Sequence, residues 1–378
     1  MERCPYSKKC SGCQLQNLTY KEQLQLKQVK MIRLLGHFCH VSEIIGMENP
    51  CNYRNKSQSA FFYKNGRIIS GIYQSTKQKI VEVKDCMLEE KCAQRIVQSI
   101  KKLSVKYKIK AYDLNTKKGF LRHVLTRKGF KSGEIIVVIV TKKGEFPSKD
   151  EFVKDLVEAH KEISTIVWNI NPTDTALFLG KENYVLYGNG YITDELCGLK
   201  FRISPNSFYQ VNPIQAEVLY SLANEYASLT GNEIVLDAYC GTGTIGLTMA
   251  KNARKVIGVE VNLDATKDAK ENAILNGISN AVFYNEDAGK FMVKLARKKE
   301  KIDTVITDPP RAGCSMGFLK SLISLSPKRV VYISCNPDTL ARDLVVLTKA
   351  KYDVIKIQPV DMFPYTSHIE CVVCLDKK

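Results

Sequence analysis

The sequence predicts an α/β protein whose C-terminal half forms a doubly wound, mostly parallel sheet of seven strands. Three observations lead to this fold class. From residue 233 onward, short β-branched runs alternate with helical stretches. The first run is followed by a glycine-rich turn containing Gly241, Gly243 and Gly246, and later runs stop abruptly at turn-forming residues. Alternation of strand and helix is typical of right-handed crossovers between parallel strands.

Seven strands are expected in this half, and helices separate the first five. The predicted ranges are 233–237, 255–261, 281–284, 302–307, 329–334, 353–357 and 371–375. Ligands of open α/β sheets bind outside the carboxyl ends of the strands. Cys335, directly after the fifth run, would lie at that edge. A cysteine there is either a nucleophile or a small buried apolar residue.

The sequence of the N-terminal half predicts a region of mixed helices and strands of the α+β type. Residues 18–35 have Leu24, Val29, Ile32 and Leu35 at helical spacing, which predicts an amphipathic helix with these residues inward. Residues 53–83 alternate like β-structure, and an Asn-Gly pair within them predicts a hairpin.

Two later runs, at 135–140 and 166–170, are predicted strands on either side of a helix at 150–163. We expect three consecutive segments: a cysteine-rich region (1–92), a basic α+β domain (93–195) and the α/β domain (196–378).

The charge balance indicates a polyanionic partner. The 378-residue chain has 56 Lys and Arg against 39 Asp and Glu, a net charge of +17. Basic residues are dense between 101 and 143, which favours an RNA-facing surface over a merely solvated one. Because there is neither an apolar run of ~18 residues nor a signal peptide, we expect a cytoplasmic protein that does not bind membranes, and a monomer.

Thirteen cysteines in a reducing compartment favour metal ligands, nucleophiles or buried thiols over disulfides. Cys4, Cys10 and Cys13 form a C-x5-C-x2-C pattern that can turn several thiolates toward one centre. Cys86 is our candidate for the fourth ligand, with Cys92 in reserve. Four thiolates suit zinc or an iron–sulfur cluster, and the spacing does not decide between them.

The glycine turn fits a dinucleotide or an adenosyl group. Glu260, at the end of the second strand, could bind the ribose of either. Asp308-Pro309-Pro310-Arg311, after the fourth strand, resembles the motif of methyltransferases that use S-adenosylmethionine (SAM). Asp287, after the third strand, could reach an adenine amino group.

Taken in order, these motifs resemble the RNA uracil-C5 methyltransferase family over nearly the whole chain. The closest likeness is to its iron–sulfur-containing 23S ribosomal RNA branch, in a short form lacking the N-terminal TRAM β-barrel. The resemblance depends on the three N-terminal cysteines followed by Gln14-Leu15-Gln16, Tyr53-Arg54-Asn55-Lys56, Ser207-Phe208-Tyr209-Gln210-Val211-Asn212, the glycine turn, Asp308–Arg311, Ser334-Cys335-Asn336-Pro337 and His368-Ile369-Glu370.

The resemblance implies roles for individual residues. Cys335 would be the nucleophile and Glu370 the general base. SAM would be bound by Gln210, Tyr239, Glu260, Asp287 and Asp308, with Thr244 as a further contact. A [4Fe–4S] cluster would be bound by Cys4, Cys10, Cys13 and Cys86.

The substrate implied is a uridine of 23S ribosomal RNA. Transfer RNA is the alternative, although the cluster cysteines weigh against that branch. The chain begins directly at the cysteines, so we do not expect a β-barrel to dock the RNA.

Uracil chemistry requires these residue types. Carbon 5 of uracil becomes nucleophilic enough to attack a methyl sulfonium only after a thiolate adds at carbon 6, and a base must then remove the C5 proton. Glu370 suits that role, and His368 is expected to be structural or RNA-contacting.

Two alternatives from other classes are a non-catalytic iron–sulfur RNA-binding protein, in which Cys335 and Glu370 would be incidental, and an NAD-dependent dehydrogenase.

Overall fold

The computed structural model describes residues 4–64, 66–74, 80–113, 116–173 and 177–378. They fold into two compact units. Among the described residues, the first unit consists of 4–17, 49–195 and 203–206. The second consists of 18–48, 196–202 and 207–378.

The elements follow one another along the chain as helices α1–α9 and strands β1–β16. The helices are α1 (Tyr20–Leu35), α2 (Lys91–Lys106), α3 (Lys149–Ala159), α4 (Pro213–Ala227), α5 (Thr244–Met249), α6 (Leu263–Leu275), α7 (Ala288–Lys298), α8 (Met316–Leu325) and α9 (Pro337–Lys349). The strands are β1 (Lys56–Lys64), β2 (Arg67–Tyr73), β3 (Ile80–Glu82), β4 (Leu121–Lys128), β5 (Ile135–Thr141), β6 (Ile163–Ile170), β7 (Glu182–Tyr187), β8 (Ile192–Leu196), β9 (Leu199–Ile203), β10 (Ile234–Ala238), β11 (Lys255–Glu260), β12 (Ala281–Asn285), β13 (Thr304–Thr307), β14 (Arg329–Ser334), β15 (Tyr352–Val360) and β16 (Glu370–Lys377). No helix within the described ranges is long and apolar enough to cross a membrane.

The first unit is built on one mixed sheet of seven strands, in the order β3-β2-β1-β4-β5-β6-β7. The predicted hairpin is formed by β1 and β2, where Lys64 pairs with Arg67; its Asn65 lies outside the described residues. Strands β5 and β6 are parallel and are joined through α3. Side chains of α2 and α3 pack on this sheet in one core with Val124 and Val137.

The structure divides the chain differently from the three segments expected from the sequence. Strand β1 pairs with β4 along five residues, so the segments 1–92 and 93–195 share a sheet. Residues 18–48 belong to the second unit instead of the first. Such non-local pairing has no signature in local sequence patterns.

The second unit contains the predicted mostly parallel sheet of seven strands, in the order β12-β11-β10-β13-β14-β16-β15. Its first five strands pair in parallel, and β16 runs antiparallel between β14 and β15. All seven predicted strands are present, and the expectation of an α/β fold is confirmed. Leu236, Val305, Val330 and Val373 lie in the buried core that includes this sheet.

Helix α1 is present as predicted, but its expected inward face was wrong at two positions. The helix begins with a capping box between Thr19 and Glu22. Val29 and Ile32 are 66% and 51% exposed, whereas Lys27 is buried. The Nζ of Lys27 lies 2.6 Å from Oδ1 of Asp361. This buried ion pair, which only the tertiary fold creates, turns the Lys27 side of the helix inward.

Candidate active site

The carboxyl edge of the second sheet brings Cys335 and Glu370 together. Cys335 follows the last residue of β14, and Glu370 is the first residue of β16. Because the two strands are antiparallel and Ser334 pairs with Cys371, the start of β16 lies beside the end of β14. Asp308 follows β13, the other neighbour of β14. The structure thus gathers three of the predicted site residues at one point of the edge.

The Cys335 thiol is half-buried in an electrostatically mixed environment. Burial raises its pKa to about 11, the negative charges of Glu370 and Asp308 act in the same direction, and Arg311 opposes them. The thiol is therefore protonated near neutral pH in the free protein. Attack by sulfur requires that the proton be removed as the bond forms, or that further positive charge arrive.

Glu370 is buried at the same place, only 4% exposed. Burial raises the pKa of its carboxyl well above the usual range, Asp308 raises it further, and Arg311 lowers it. Burial also raises the pKa of Asp308 to about 7. A carboxylate with a raised pKa is a stronger base than an exposed one, which suits removal of a proton from carbon.

Arg311 is fixed by the helix that follows Cys335. Its backbone carbonyl accepts hydrogen bonds from Nδ2 of Asn336 (2.9 Å) and Oγ1 of Thr339 (3.3 Å) at the start of α9. Its Nη2 lies 3.2 Å from Nε2 of His368. Since guanidinium only donates, Nε2 of His368 accepts this bond. His368 thereby has a structural contact beside Cys335 and Glu370.

A second contact between α9 and the loop after Asp308 involves Asp343. This buried carboxylate accepts hydrogen bonds from the Tyr332 hydroxyl (2.7 Å) and the Cys314 amide (2.8 Å). Arg342, which pairs with Asp343, donates to the Ala312 and Cys314 carbonyls. Sequence reasoning missed both residues, because nothing in a helix pattern indicates that Asp343 is buried while the exposed Arg342 pairs with it.

The glycine turn lies at the end of β10. The buried Asp237 carboxylate accepts a 2.8 Å hydrogen bond from the Gly246 amide, and burial raises its pKa to about 7. Gly243 has a φ of +81°, which favours glycine. Oε2 of Glu260 accepts a 3.1 Å hydrogen bond from the Gly241 amide, so the carboxylate that is expected to bind a ribose also supports the turn.

The remaining predicted cofactor residues are distributed along this edge. Tyr239 follows β10, and its ring lies 5.6 Å from that of Phe318. Asp287 begins α7 and accepts a hydrogen bond from the Lys290 amide. Thr244 bonds through its hydroxyl to the hydroxyl of Tyr220.

Gln210 is a further hydrogen-bond partner of Tyr220. Tyr220 therefore links Gln210 and Thr244.

The N-terminal cysteines lie in the first unit. Burial raises the pKa of Cys13, and the neighbouring charges of Cys10 and Cys4 raise it further. Burial raises the pKa of Cys86 to about 12, with a contribution from Cys13. The charges of Cys4 and Cys10 thus act on Cys13, and that of Cys13 acts on Cys86.

Hydrogen bonds and local charges distinguish the two candidates for the fourth ligand. The Tyr6 hydroxyl accepts a bond from the Lys84 amide, which ties the first cysteine segment to the residues before Cys86. Charges acting on Cys92 come instead from Glu90, Lys128 and Arg95. Within the described ranges, no three His, Cys, Asp or Glu side chains are grouped as they would be around a metal ion.

Comparison with known proteins identifies the family. The profile of the tRNA (Uracil-5-)-methyltransferase family matches residues 19–378. The chain belongs to this family. Uncharacterized RNA methyltransferases of Oceanobacillus iheyensis and Bacillus cereus are 43% and 42% identical to it, over 98% and 99% of this chain and 82% of each relative.

A solved structure of the family agrees with this assignment. It is the Pyrococcus abyssi tRNA (uracil-54, C5)-methyltransferase in complex with S-adenosyl-L-homocysteine, with a TM-score of 0.79 and 31% identity over 97% of this chain and 86% of that one. The present chain, as a member of the uracil-5-methyltransferase family, is a SAM-dependent RNA methyltransferase. The non-catalytic and dehydrogenase alternatives are thereby set aside.

Proposed function

We propose that this enzyme methylates carbon 5 of a uridine in RNA through a covalent adduct between Cys335 Sγ and carbon 6 of the base. The observation that carries the proposal is the pairing of Ser334 with Cys371, which brings a thiol and a buried carboxylate to one strand end. SAM supplies the methyl group as an electrophilic sulfonium.

The residues of this chain then act in sequence. Cys335 gives up its thiol proton to solvent and adds to carbon 6, and the electron pair displaced to carbon 5 takes the methyl group. Glu370 removes the remaining proton from carbon 5, and the re-formed double bond expels the Cys335 thiolate. Arg311 favours the thiolate, since its charge lowers the pKa of Cys335.

The proposed SAM site follows the ends of four neighbouring strands. It comprises Tyr239 and Asp308 beside the glycine turn, with Glu260 and Asp287 further along the edge. Gln210 and Thr244, both bonded to Tyr220, complete the set. Asp308 raises the pKa of both Cys335 and Glu370, so it lies close to them. A methyl donor bound by Asp308 would thus lie next to Cys335.

For the RNA, we propose 23S ribosomal RNA, supported by the N-terminal cysteines that resemble that branch. Transfer RNA is a second candidate, favoured by the 31% identical Pyrococcus abyssi enzyme, which acts on tRNA. The test is incubation of the protein with labelled SAM and separated, unmodified ribosomal and transfer RNAs. Label in 5-methyluridine of one pool assigns the substrate. Label in neither contradicts the proposal.

We also propose that Cys4, Cys10, Cys13 and Cys86 bind a [4Fe–4S] cluster. The charges of Cys4 and Cys10 act on Cys13, and that of Cys13 acts on Cys86, which supports this proposal. No step of the methylation requires it. Anaerobically purified protein should be brown and contain iron; a colourless zinc protein would contradict the cluster.

We propose that the enzyme is cytoplasmic, because the cysteines of the described chain are all free thiols. We also propose that it is a monomer. Sedimentation of the purified protein tests the monomer: a dimer at assay concentrations would contradict it.

A further inference from the structure

Helix α1 and the loop before β16 form a groove on the second unit. It has a volume of about 280 Å³ and is lined by Leu26, Lys27, Val29, Lys30, Arg33, Ser367 and Ile369. We call it the α1 groove. Leu26 and Val29 are 51% and 66% exposed, and Ile369 is buried in its floor.

The exposed apolar side chains of this groove serve no packing role in the second unit. Single exposed leucines or valines are ordinary on protein surfaces. Here two of them line the same concavity, beside Lys27, whose Nζ pairs with Asp361 inside the protein. An apolar depression with a polar rim is typical of a binding surface.

The groove borders two segments that lead to Cys335 and Glu370. Ile369, in its lining, directly precedes Glu370 in the chain. Lys30 reaches Asp338 on α9 across 3.3 Å, and Asp338 is three residues after Cys335. Both connections lead from the groove to the strand ends that hold Cys335 and Glu370.

The charge of the groove selects an anionic occupant. Lys30 and Arg33 stand on its rim, and Lys27 is already paired inside the protein. Toward the catalytic pair the positive charge continues with Arg311, which bonds to His368 next to Ile369. Apolar walls with cationic rims suit a nucleotide, whose base is flat and apolar on its faces and whose phosphate is negative.

We propose that the α1 groove binds the nucleotide next to the target uridine, with its base against Leu26 and Val29 and its phosphate between Lys30 and Arg33. This inference rests on the proposed uridine chemistry. A uracil that is attacked at carbon 6 has to leave its stack, which uncovers one face of the neighbouring base. The groove covers that face again and lowers the cost of extruding the target.

The test compares two variants with two matched controls. Leu26→Ser/Val29→Ser removes the apolar wall, and Arg33→Gln removes one rim charge. Ile274→Ser, on the exposed side of α6, and Arg297→Gln, in the last turn of α7, are controls of the same chemistry away from the groove. Each variant binds a stem-loop of the RNA that wild-type protein methylates, and the same stem-loop with an abasic flanking nucleotide. If no RNA is methylated, unmodified ribosomal RNA fragments serve as the binding probe.

The apolar double variant should bind the intact stem-loop roughly tenfold more weakly than wild type. On the abasic stem-loop the double variant should bind with the same affinity as wild type. Wild type itself should bind the abasic stem-loop roughly tenfold more weakly than the intact one. Arg33→Gln should make the salt dependence shallower by about 0.7 log units per log salt. Affinity for SAM in calorimetry should stay unchanged, as should RNA binding by both controls.

Equal affinity of the double variant and wild type for intact RNA would overturn the inference. It would also be overturned if the double variant bound abasic RNA more weakly than wild type by the same factor as it does intact RNA. A change in sedimentation with unchanged RNA binding would assign the groove to a protein partner and also overturn it. Failure of the proposed function would appear separately, as a lack of C5 methylation by the wild-type protein.

Discussion

Cys335 and Glu370 lie at adjacent strand ends because the last strand of the sheet runs antiparallel to the fifth, with Ser334 opposite Cys371. Thirty-four residues of chain lie between them, including α9 and β15. An all-parallel sheet would put the start of the last strand at the opposite edge. The reversed last strand is thus the feature that places the Glu370 carboxylate beside the thiol.

Arg311 is expected to control the acidity of the nucleophile. Its positive charge lowers the pKa of the Cys335 thiol, against the effects of burial and of Glu370. In Arg311→Gln the thiolate loses this support, so the pKa rises and alkylation by iodoacetamide at pH 8 slows about threefold. Peptide mass spectrometry across a pH series measures the rate at Cys335 alone. Arg297→Gln is the control, and an unshifted profile in Arg311→Gln would show that Arg311 does not act on the thiol.

Gly246 is required by the close approach of α5 to Asp237. A Cβ at this position would lie 2.9 Å from Oδ2 of Asp237 and 2.9 Å from Cγ1 of Val256. Gly246→Ala should therefore destabilise the protein by about 1–3 kcal/mol and weaken SAM binding. Thermal unfolding and calorimetry measure the two effects.

The matched control is Gly317→Ala in α8, where a Cβ would meet only Oγ of Ser315 at 3.9 Å. It should stabilise the protein by up to ~1 kcal/mol, because alanine favours helix. Similar behaviour of the two variants would contradict the role given to Gly246.

The buried ion pair of α1 should contribute strongly to the stability of the second unit. Lys27 and Asp361 are almost fully buried, so Lys27→Met leaves a buried carboxylate without its cation. We expect a loss of about 3–5 kcal/mol in the free energy of unfolding. Lys30→Met breaks a partly exposed pair with Asp338 and should cost about 1 kcal/mol or less. Urea unfolding compares them; equal losses would refute the argument.

The sequence predicted those parts of the fold that depend on local patterns. The seven strands of the second unit follow from β-branched runs, and residues such as Cys335 and Asp308 follow from their positions just after strands. The reversal of β16 is not local, and only the resemblance to a family linked Glu370 to Cys335.

Tertiary burial explains what the sequence could not predict. Lysine is a residue type usually found on protein surfaces, yet the pairing of Lys27 with Asp361 decides which side of α1 faces inward. Asp343 lies in an ordinary amphipathic helix, and only the fold shows that it accepts bonds from Tyr332 and Cys314. Pairing of β1 with β4 likewise joins residues that no local pattern connects.

The central claim is that Cys335 forms the adduct and Glu370 resolves it. Glu370→Gln protein, incubated with SAM and unmodified RNA, should accumulate a methylated RNA–protein adduct that survives denaturing electrophoresis and maps to Cys335 by mass spectrometry. The added Cys335→Ala change should abolish it. A Glu370→Gln enzyme that releases 5-methyluridine at the wild-type rate, or that never forms the adduct while still binding RNA and SAM, would contradict the assignment.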